Sequence, residues 1–510
     1  ARKSDRPAPI DRGRACFGVQ GLDDVLGGGL PRNHLYLLDG EPGTGKTTLA
    51  MQFLLEGRAR GERALYVTLS ETAEELTSAA TSHGWSVDGI VILELAAVQG
   101  EKPDEVYTLF QPAEIELQHT VETVLAEVDR HQPDRVVFDS LSEMRMLARD
   151  PLRFRRQILM LKQFFVGREC TVLLLDDRSH PSGDLQLQSL AHGVILLEHV
   201  ALEYGAERRK LQIMKLRGAP YRGGYHDFRI RTGGVEVYPR ILRHTRQADE
   251  QVPTFSSGSK GLDALIGGRI LGGTSTLLMG SAGTGKSIIS MQYARQAATE
   301  GLKARVYMFD ERITTALLRA KGLGIDAADA LADGRLTLRQ VEPTEMSPGE
   351  FAQDIVRAVE KEDVRLISID SINGYLQAMP AERLLVIQVH ELLSYLADRG
   401  VAIIMTLVQH GVFGAQIEGA AEVSYLADTV LLLRYFEYAG MVRRAISVVK
   451  KRDGFHEPTI REMAIDRGGI RVGEPLKAFR GVLTGVPEYT GVSEPLMDSA
   501  KATTGESDRG

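Results

Sequence analysis

Two short segments of this chain have the residues needed to grip a phosphate group. Gly40-Glu-Pro-Gly-Thr-Gly-Lys-Thr47 and Gly280-Ser-Ala-Gly-Thr-Gly-Lys-Ser287 both satisfy the pattern G-x-x-x-x-G-K-[ST]. The glycines let the backbone curl, so that the N–H groups of Gly43, Thr44 and Gly45, and of Gly283, Thr284 and Gly285, point at phosphate oxygens. Lys46 and Lys286 would reach the β- and γ-phosphates, and the hydroxyls of Thr47 and Ser287 would coordinate Mg²⁺. Thr48 and Ile288 continue into a helix whose positive end faces the anion. The expected ligand is therefore ATP or GTP, held with Mg²⁺.

Three further groups of residues fit phosphoryl chemistry. Asp139 follows Val136-Val-Phe138 and Asp370 follows Leu366-Ile-Ser-Ile369. An acid at such a strand end holds the hydration shell of the metal, although a strand-end Asp also caps ordinary turns. Glu71 lies 25 residues after Lys46, and Glu311 lies 25 after Lys286. Each ends an apolar strand expected to run beside the phosphate-loop strand, where a carboxylate would orient the attacking water. Asp310 makes the second segment doubly acidic, where the first has Ser70; it is also a candidate for the metal. The basic groups Lys215-Leu216-Arg217 and Lys450-Lys451-Arg452 would each read as a solvated strand if found alone.

These groups recur in one order, with an offset of 240 residues for the loops and for the acids at Glu71 and Glu311. Gly21-Leu-Asp-Asp-Val-Leu-Gly-Gly-Gly29 likewise returns as Gly261-Leu-Asp-Ala-Leu-Ile-Gly-Gly268. The chain thus reads as a duplication, with a flexible N-terminus at 1–12, repeats at 13–245 and 246–475, and a loop with a disordered tail at 476–510. Within each repeat, short apolar runs (34–38, 64–69, 135–138, 171–175) alternate with helical patterns (46–60, 154–165). The fold class is α/β: two tandem P-loop domains, each a mostly parallel sheet flanked by helices, a plan that resembles RecA-like domains. Segments 210–216 and 445–449 read as additional strands at a sheet edge.

Bulk composition narrows the function. The 510 residues are 43% hydrophobic and 25% charged, with a formal net charge of -7. An acidic balance argues against nucleic acid as the main partner. Cys16 and Cys170 form neither a disulfide framework nor a metal cluster. No apolar run reaches the roughly 18–20 residues that span a bilayer. The expectation is a soluble, cytoplasmic protein with no membrane partner.

Together the glycine triplet segment, both phosphate loops, the strand-end acids and the Lys-x-Arg groups resemble the KaiC family of circadian clock ATPases and their two-domain bacterial relatives, over roughly 12–475. The resemblance implies a two-tier homo-hexameric ring with ATP at subunit interfaces, a hydrolysing first domain, a second domain able to autophosphorylate, and KaiB-like or other signalling partners. It implies catalytic acids at Glu71 and Glu311. Asp310 would take the place of the kinase general base, one methylene shorter. Lys215, Leu216 and Arg217, with their counterparts Lys450, Lys451 and Arg452, would reach a neighbour's ATP, the arginines stabilising the transferring phosphoryl group. Ser82 matches a serine near the base, where the second repeat has Gly322, and His456 matches a histidine near the partner's nucleotide. Ala219 and Tyr221 depart from the pattern. The family's phosphorylated Ser-Thr pair falls on Ser424-Tyr425, leaving Ser424 as the candidate phosphoacceptor, and Lys477 to Gly485 matches the regulatory C-terminal loop.

Three functions compete at this point: a timing or signalling switch driven by ATP, a DNA-dependent ATPase of the recombinase or helicase kind, and a scaffold in which one domain binds nucleotide without cleaving it.

Overall fold

The computed structural model describes residues 13–95, 112–148, 150–178, 185–201, 205–242, 252–377, 385–409, 424–482 and 487–491. The expected flexible N-terminus, the repeat junction around 243–251 and the tail beyond 491 lie outside these residues. Contacts divide the chain into two compact units: one runs to Leu242 and takes in Thr344–Val356, and the other is formed by Arg243–Pro343 and Arg357–Gly510.

In the first unit the elements are β1 (Arg14–Ala15), α1 (Gln20–Val25), β2 (Leu30–Pro31), β3 (Leu35–Gly40), α2 (Lys46–Ala59), β4 (Ala64–Thr68), α3 (Ala73–Ser82), β5 (Ile90–Glu94), α4 (Pro112–His131), β6 (Arg135–Asp139), α5 (Leu141–Ala148), α6 (Pro151–Phe165), β7 (Thr171–Asp177), α7 (Leu185–Leu190), β8 (Gly193–Val200), β9 (Arg208–Leu216), β10 (Tyr225–Arg231) and β11 (Gly234–Tyr238). The main sheet has the order β11-β10-β9-β8-β3-β7-β6-β4-β5. From β5 to β8 its pairs are parallel, and β9, β10 and β11 close one edge as an antiparallel meander. Every residue of β3, β4 and β6 is buried, as expected for strands covered on both faces. One face packs Tyr36, Leu38 and Tyr66 under Leu49 and Phe53 of α2. The other packs Leu37, Val67 and Phe138 under α4, α5 and α6.

Local chemistry sets the helix starts. Thr72 and Glu75 form a reciprocal capping box that begins α3 immediately after Glu71. Asp150 caps α6 with Pro151 at its first position.

From Thr254 onward the chain repeats the plan with β12 (Thr254–Phe255), α8 (Lys260–Leu265), β13 (Ile270–Leu271), β14 (Ser275–Gly280), α9 (Lys286–Thr299), β15 (Lys303–Met308), α10 (Ile313–Gly322), α11 (Ala328–Ala332), β16 (Leu336–Gln340), α12 (Pro348–Glu362, counted with the first unit as far as Val356), β17 (Val364–Asp370), α13 (Ile372–Gln377), α14 (Leu385–Asp398), β18 (Ala402–Val408), β19 (Thr429–Tyr438), β20 (Met441–Lys451), β21 (Arg461–Asp466) and β22 (Gly469–Pro475). The sheet order of this repeat, β16-β15-β17-β18-β14-β19-β20-β21-β22, matches the first strand for strand. A short ribbon, β23 (Phe479–Arg480) with β24 (Glu488–Tyr489), follows, with Phe479 and Tyr489 against the Tyr438 ring.

One expectation needs correction. The strands ending before Glu71 and Asp310 do not run beside the phosphate-loop strands: β7 and β6 separate β4 from β3, and β18 and β17 separate β15 from β14. The apolar pattern identified these strands but held no information on their order, which follows from the crossover connections. Among the described residues, no helix is long and apolar enough to cross a membrane.

Candidate nucleotide sites

Each phosphate loop links a buried strand to a long helix. Gly45 immediately precedes α2 with φ of +100°, and Gly285 precedes α9 with φ of +109°. Both positions need glycine twice over, because a Cβ there would also lie 2.4 Å from Ile230 Cδ1 and from Ile465 Cδ1 respectively. The positive turn thus aims the start of each helix across the C-terminal end of its sheet, the usual ligand position in such folds.

In the first site Lys46 Nζ donates to Gly40 O at 2.8 Å and Glu41 O at 2.9 Å, and pairs with Asp177 at 2.7 Å. Thr47 Oγ1 donates to Asp139 Oδ2 at 3.2 Å, and the Tyr66 hydroxyl donates to the same oxygen at 2.6 Å. Burial pushes the Asp139 carboxyl upward, and the bonds from Tyr66 and Thr47 oppose the shift. Thr47 and Asp139 supply adjacent hard oxygens, the donor type that Mg²⁺ takes. Glu71 follows β4, its backbone N–H and carbonyl both tied to the Thr68 hydroxyl. Burial, then the nearby Asp139 and Glu75 carboxylates, raise its pKa.

A cavity of about 400 Å³ opens beside this loop, lined by Thr47, Thr48, Glu71, Ala79, His83 and Trp85 among others. The sequence reading did not single out His83 or Trp85. The ring centroids of His83 and Trp85 are 4.8 Å apart, and one signal was available: Trp85 is the chain's single tryptophan, three residues after Ser82. Ser82 itself is exposed and donates to Ala79 O at 2.7 Å.

The second site keeps the frame and changes its partners. Lys286 Nζ donates to Gly280 O at 2.8 Å and Ser281 O at 2.7 Å. Burial pushes its pKa down to about 8, against the raising effect of Asp370. Asp370 accepts from Thr406, and Asp310 accepts from Ser371 Oγ at 2.6 Å. Glu311 pairs with Arg319 at 2.5 Å. Ser287 is half-buried and Ile288 is buried at the start of α9. The peptides Asp139–Ser140 and Asp370–Ser371 are both cis.

The basic groups lie at the other end of each sheet. Leu216 pairs with Gly193, and Gly193 with Tyr36, so Lys215 and Arg217 stand level with the start of β3, whereas the phosphate loop leaves β3 after Gly40. Lys451 pairs with Thr429, and Thr429 with Thr276, at the start of β14. Four strand residues separate each pair of levels, roughly 13 Å. Arg217 donates to Ser189 O at 3.1 Å, and Lys215 donates to Gln188 O. Lys450 donates to Ala427 O at 2.6 Å and to Ser424 O at 3.1 Å, and Arg452 donates to Tyr425 O at 2.9 Å. Lys451 donates to Ile266 O at 2.8 Å, and His456 is half-buried on the turn after β20. Ser424 is half-buried beside these cations.

A model of the KaiC ATPase family matches residues 16–241 and again 255–477. The chain belongs to the KaiC ATPase family. It is 26% identical over 491 residues to the circadian clock protein KaiC3 of Synechocystis sp. (strain ATCC 27184 / PCC 6803 / Kazusa), covering 94% of this chain and 95% of that relative. It is also 26% identical over 486 residues to the circadian clock oscillator protein KaiC of Parathermosynechococcus lividus, covering 94% and 88%. A third relative, the circadian clock oscillator protein KaiC of Thermosynechococcus vestitus (strain NIES-2133 / IAM M-273 / BP-1), is 26% identical over 487 residues, covering 93% and 92%. Membership of the KaiC family makes this an ATPase with two repeats of the family domain, and both phosphate loops fall inside the matched segments.

Proposed function

We propose that both loops bind Mg·ATP, that hydrolysis is completed across the interface between neighbouring copies in a homo-hexameric ring, and that the chain acts as a timing or signalling switch. The observation carrying this reading is the separation of parts. Lys46, Thr47, Asp139 and Glu71 gather at one end of the first sheet, and Lys215 and Arg217 stand at the opposite end. A single copy therefore does not supply the arginine to its own loop. Head-to-tail packing of copies would bring one copy's Arg217 to the next copy's loop and make turnover depend on assembly.

In this reading Lys46 and Lys286 hold the phosphates, and the Thr47–Asp139 and Ser287–Asp370 pairs hold the magnesium. The bound ion would neutralise charge on the phosphates. Glu71 and Glu311 orient the attacking water, Asp310 stands by as a second acid, and Arg217 and Arg452 stabilise charge on the partner's nucleotide. Trp85 and His83 offer an apolar wall for the base. The second unit would transfer a phosphoryl group to Ser424, whose neighbour Tyr425 stands where a second aliphatic hydroxyl would be needed for a two-residue cycle. KaiB-like or other signalling partners would read the resulting state in the cytoplasm.

The test is native mass measurement with and without Mg·ATP, paired with phosphosite mapping after incubation. Nucleotide-dependent assembly and phosphate on Ser424 are expected. A chain that hydrolyses ATP equally well as a dilute single copy would overturn the interface reading, and absence of phosphate on Ser424 would remove the autokinase step. Strong stimulation by single-stranded DNA would favour the recombinase-like alternative.

A further inference from the structure

The two phosphate loops differ most in what their lysines face. At the end of β7, Asp177 stands in register with Gly40, the last residue before the first loop. At the equivalent register in the second unit, Gly280 is paired with Val408. The preceding pairs differ in the same way: Asp39 beside Asp176 in the first sheet, and Met279 beside Leu407 in the second. Asp176 is taken up by Arg145 at 2.7 Å and Ser142 at 3.1 Å. Asp177 is the acid that meets the loop, its carboxylate 2.7 Å from Lys46 Nζ. Lys46 thereby directs its ammonium at two carbonyls and a carboxylate at ion-pair distance, while Lys286 donates to two carbonyls and feels the Asp370 charge without an ion pair among the described residues.

A terminal phosphate approaching Lys46 must share that ammonium with Asp177 or displace it, and brings further negative charge beside the carboxylate. A diphosphate leaves more of the Lys46–Asp177 bond in place. We propose that Asp177 is a specificity-determining residue of the first site, competing with the γ-phosphate for Lys46 and so tilting that site towards nucleoside diphosphate relative to the second. This rests on the reading of the loops as nucleotide sites and adds a difference between them. For a protein that alternates between loaded states, such a residue would hold the first unit longer in its product form.

The test is titration calorimetry with Mg·ATP and Mg·ADP on the full chain carrying Lys286→Ala, which confines binding to the first loop. Adding Asp177→Asn, close to isosteric, is expected to tighten Mg·ATP by about tenfold, the scale of one charge-assisted bond. Mg·ADP should change by no more than about twofold. The reciprocal change, Val408→Asp in a Lys46→Ala chain, should weaken Mg·ATP more than Mg·ADP at the second loop. An unchanged ATP-to-ADP preference in either folded variant overturns the proposal, and the reciprocal variant decides if Asp177→Asn does not fold. A folded Lys286→Ala chain that takes up neither nucleotide defeats the nucleotide-site reading itself, a result distinct from uptake without a shift in preference.

Discussion

Glu311 is held by Arg319 in an ion pair of 2.5 Å, whereas its counterpart Glu71, 240 residues earlier, has Ala79 where the arginine would stand. Among the described residues no cation pairs with Glu71. The two acids follow equivalent strands and precede equivalent helices, so the arginine partner is a difference of side chain within a shared backbone frame. If Glu311 must turn towards a water to act, Arg319 restrains it. Replacing Arg319 with Ala in a Lys46→Ala chain is expected to raise phosphate release at the second site by a few-fold, because a partly exposed pair is worth roughly 1 kcal/mol or less. Slower release would mean that Arg319 positions the acid productively.

Glu71 should show its own signature in pH. Its pKa is raised, chiefly by burial and then by Asp139 and Glu75. A group that must be ionised to work loses activity as pH falls through its pKa, so a raised value moves the acid limb of the rate profile to higher pH. Glu71→Gln should cut first-site turnover by roughly 100-fold or more and abolish that limb, measured as phosphate release in a Lys286→Ala chain. An acid limb that survives the substitution would assign the titration elsewhere.

Lys286 gives a prediction of opposite sense. With a pKa pushed down to about 8, its ammonium is mostly present at pH 7 and disappears as pH rises above 8. Phosphate binding needs the charged form. Mg·ATP affinity at the second loop, measured by calorimetry in a Lys46→Ala chain, should therefore weaken between pH 7.5 and 9, by up to roughly tenfold per pH unit at the alkaline end. A flat profile would count against a neutralised lysine.

Division of the first site between copies can be tested by mixing. Arg217→Ala and Lys46→Ala chains, each also carrying Lys286→Ala, should both be nearly inactive alone. Mixed before assembly, they form some interfaces with an intact Lys46 on one side and an intact Arg217 on the other. Recovery of up to about a quarter of the activity of the Lys286→Ala chain is expected for random mixing at equal amounts. No recovery, with mixed assemblies confirmed by mass, would place Arg217 outside the partner's site.

Much of this arrangement was legible in the residues. The phosphate loops could be located because phosphate binding dictates both glycine spacing and the final Lys-Thr or Lys-Ser, and their recurrence at one offset argued against coincidence. Asp139 could be found because a buried strand rarely ends in an acid without reason, and the structure sets it against Thr47. Strand order was not legible, since apolar runs are the same whichever neighbour they pair with; hence the misplaced expectation for β4 beside β3. The Lys46–Asp177 and Glu311–Arg319 pairs were also out of reach. Asp177 is brought to Lys46 only because β7 lies against β3, and Arg319, eight residues after Glu311, meets it only through the angle at which α10 leaves the end of β15. The motif around Trp85 was passed over because an indole ordinarily reads as core.

The lone indole has a practical consequence. Because Trp85 lines the cavity beside the first phosphate loop, and the position 240 residues later is Ile325, emission excited at the red edge of protein absorbance comes from one half of a duplicated molecule. Native fluorescence can therefore follow events in the first unit in real time, without a dye and without silencing its twin.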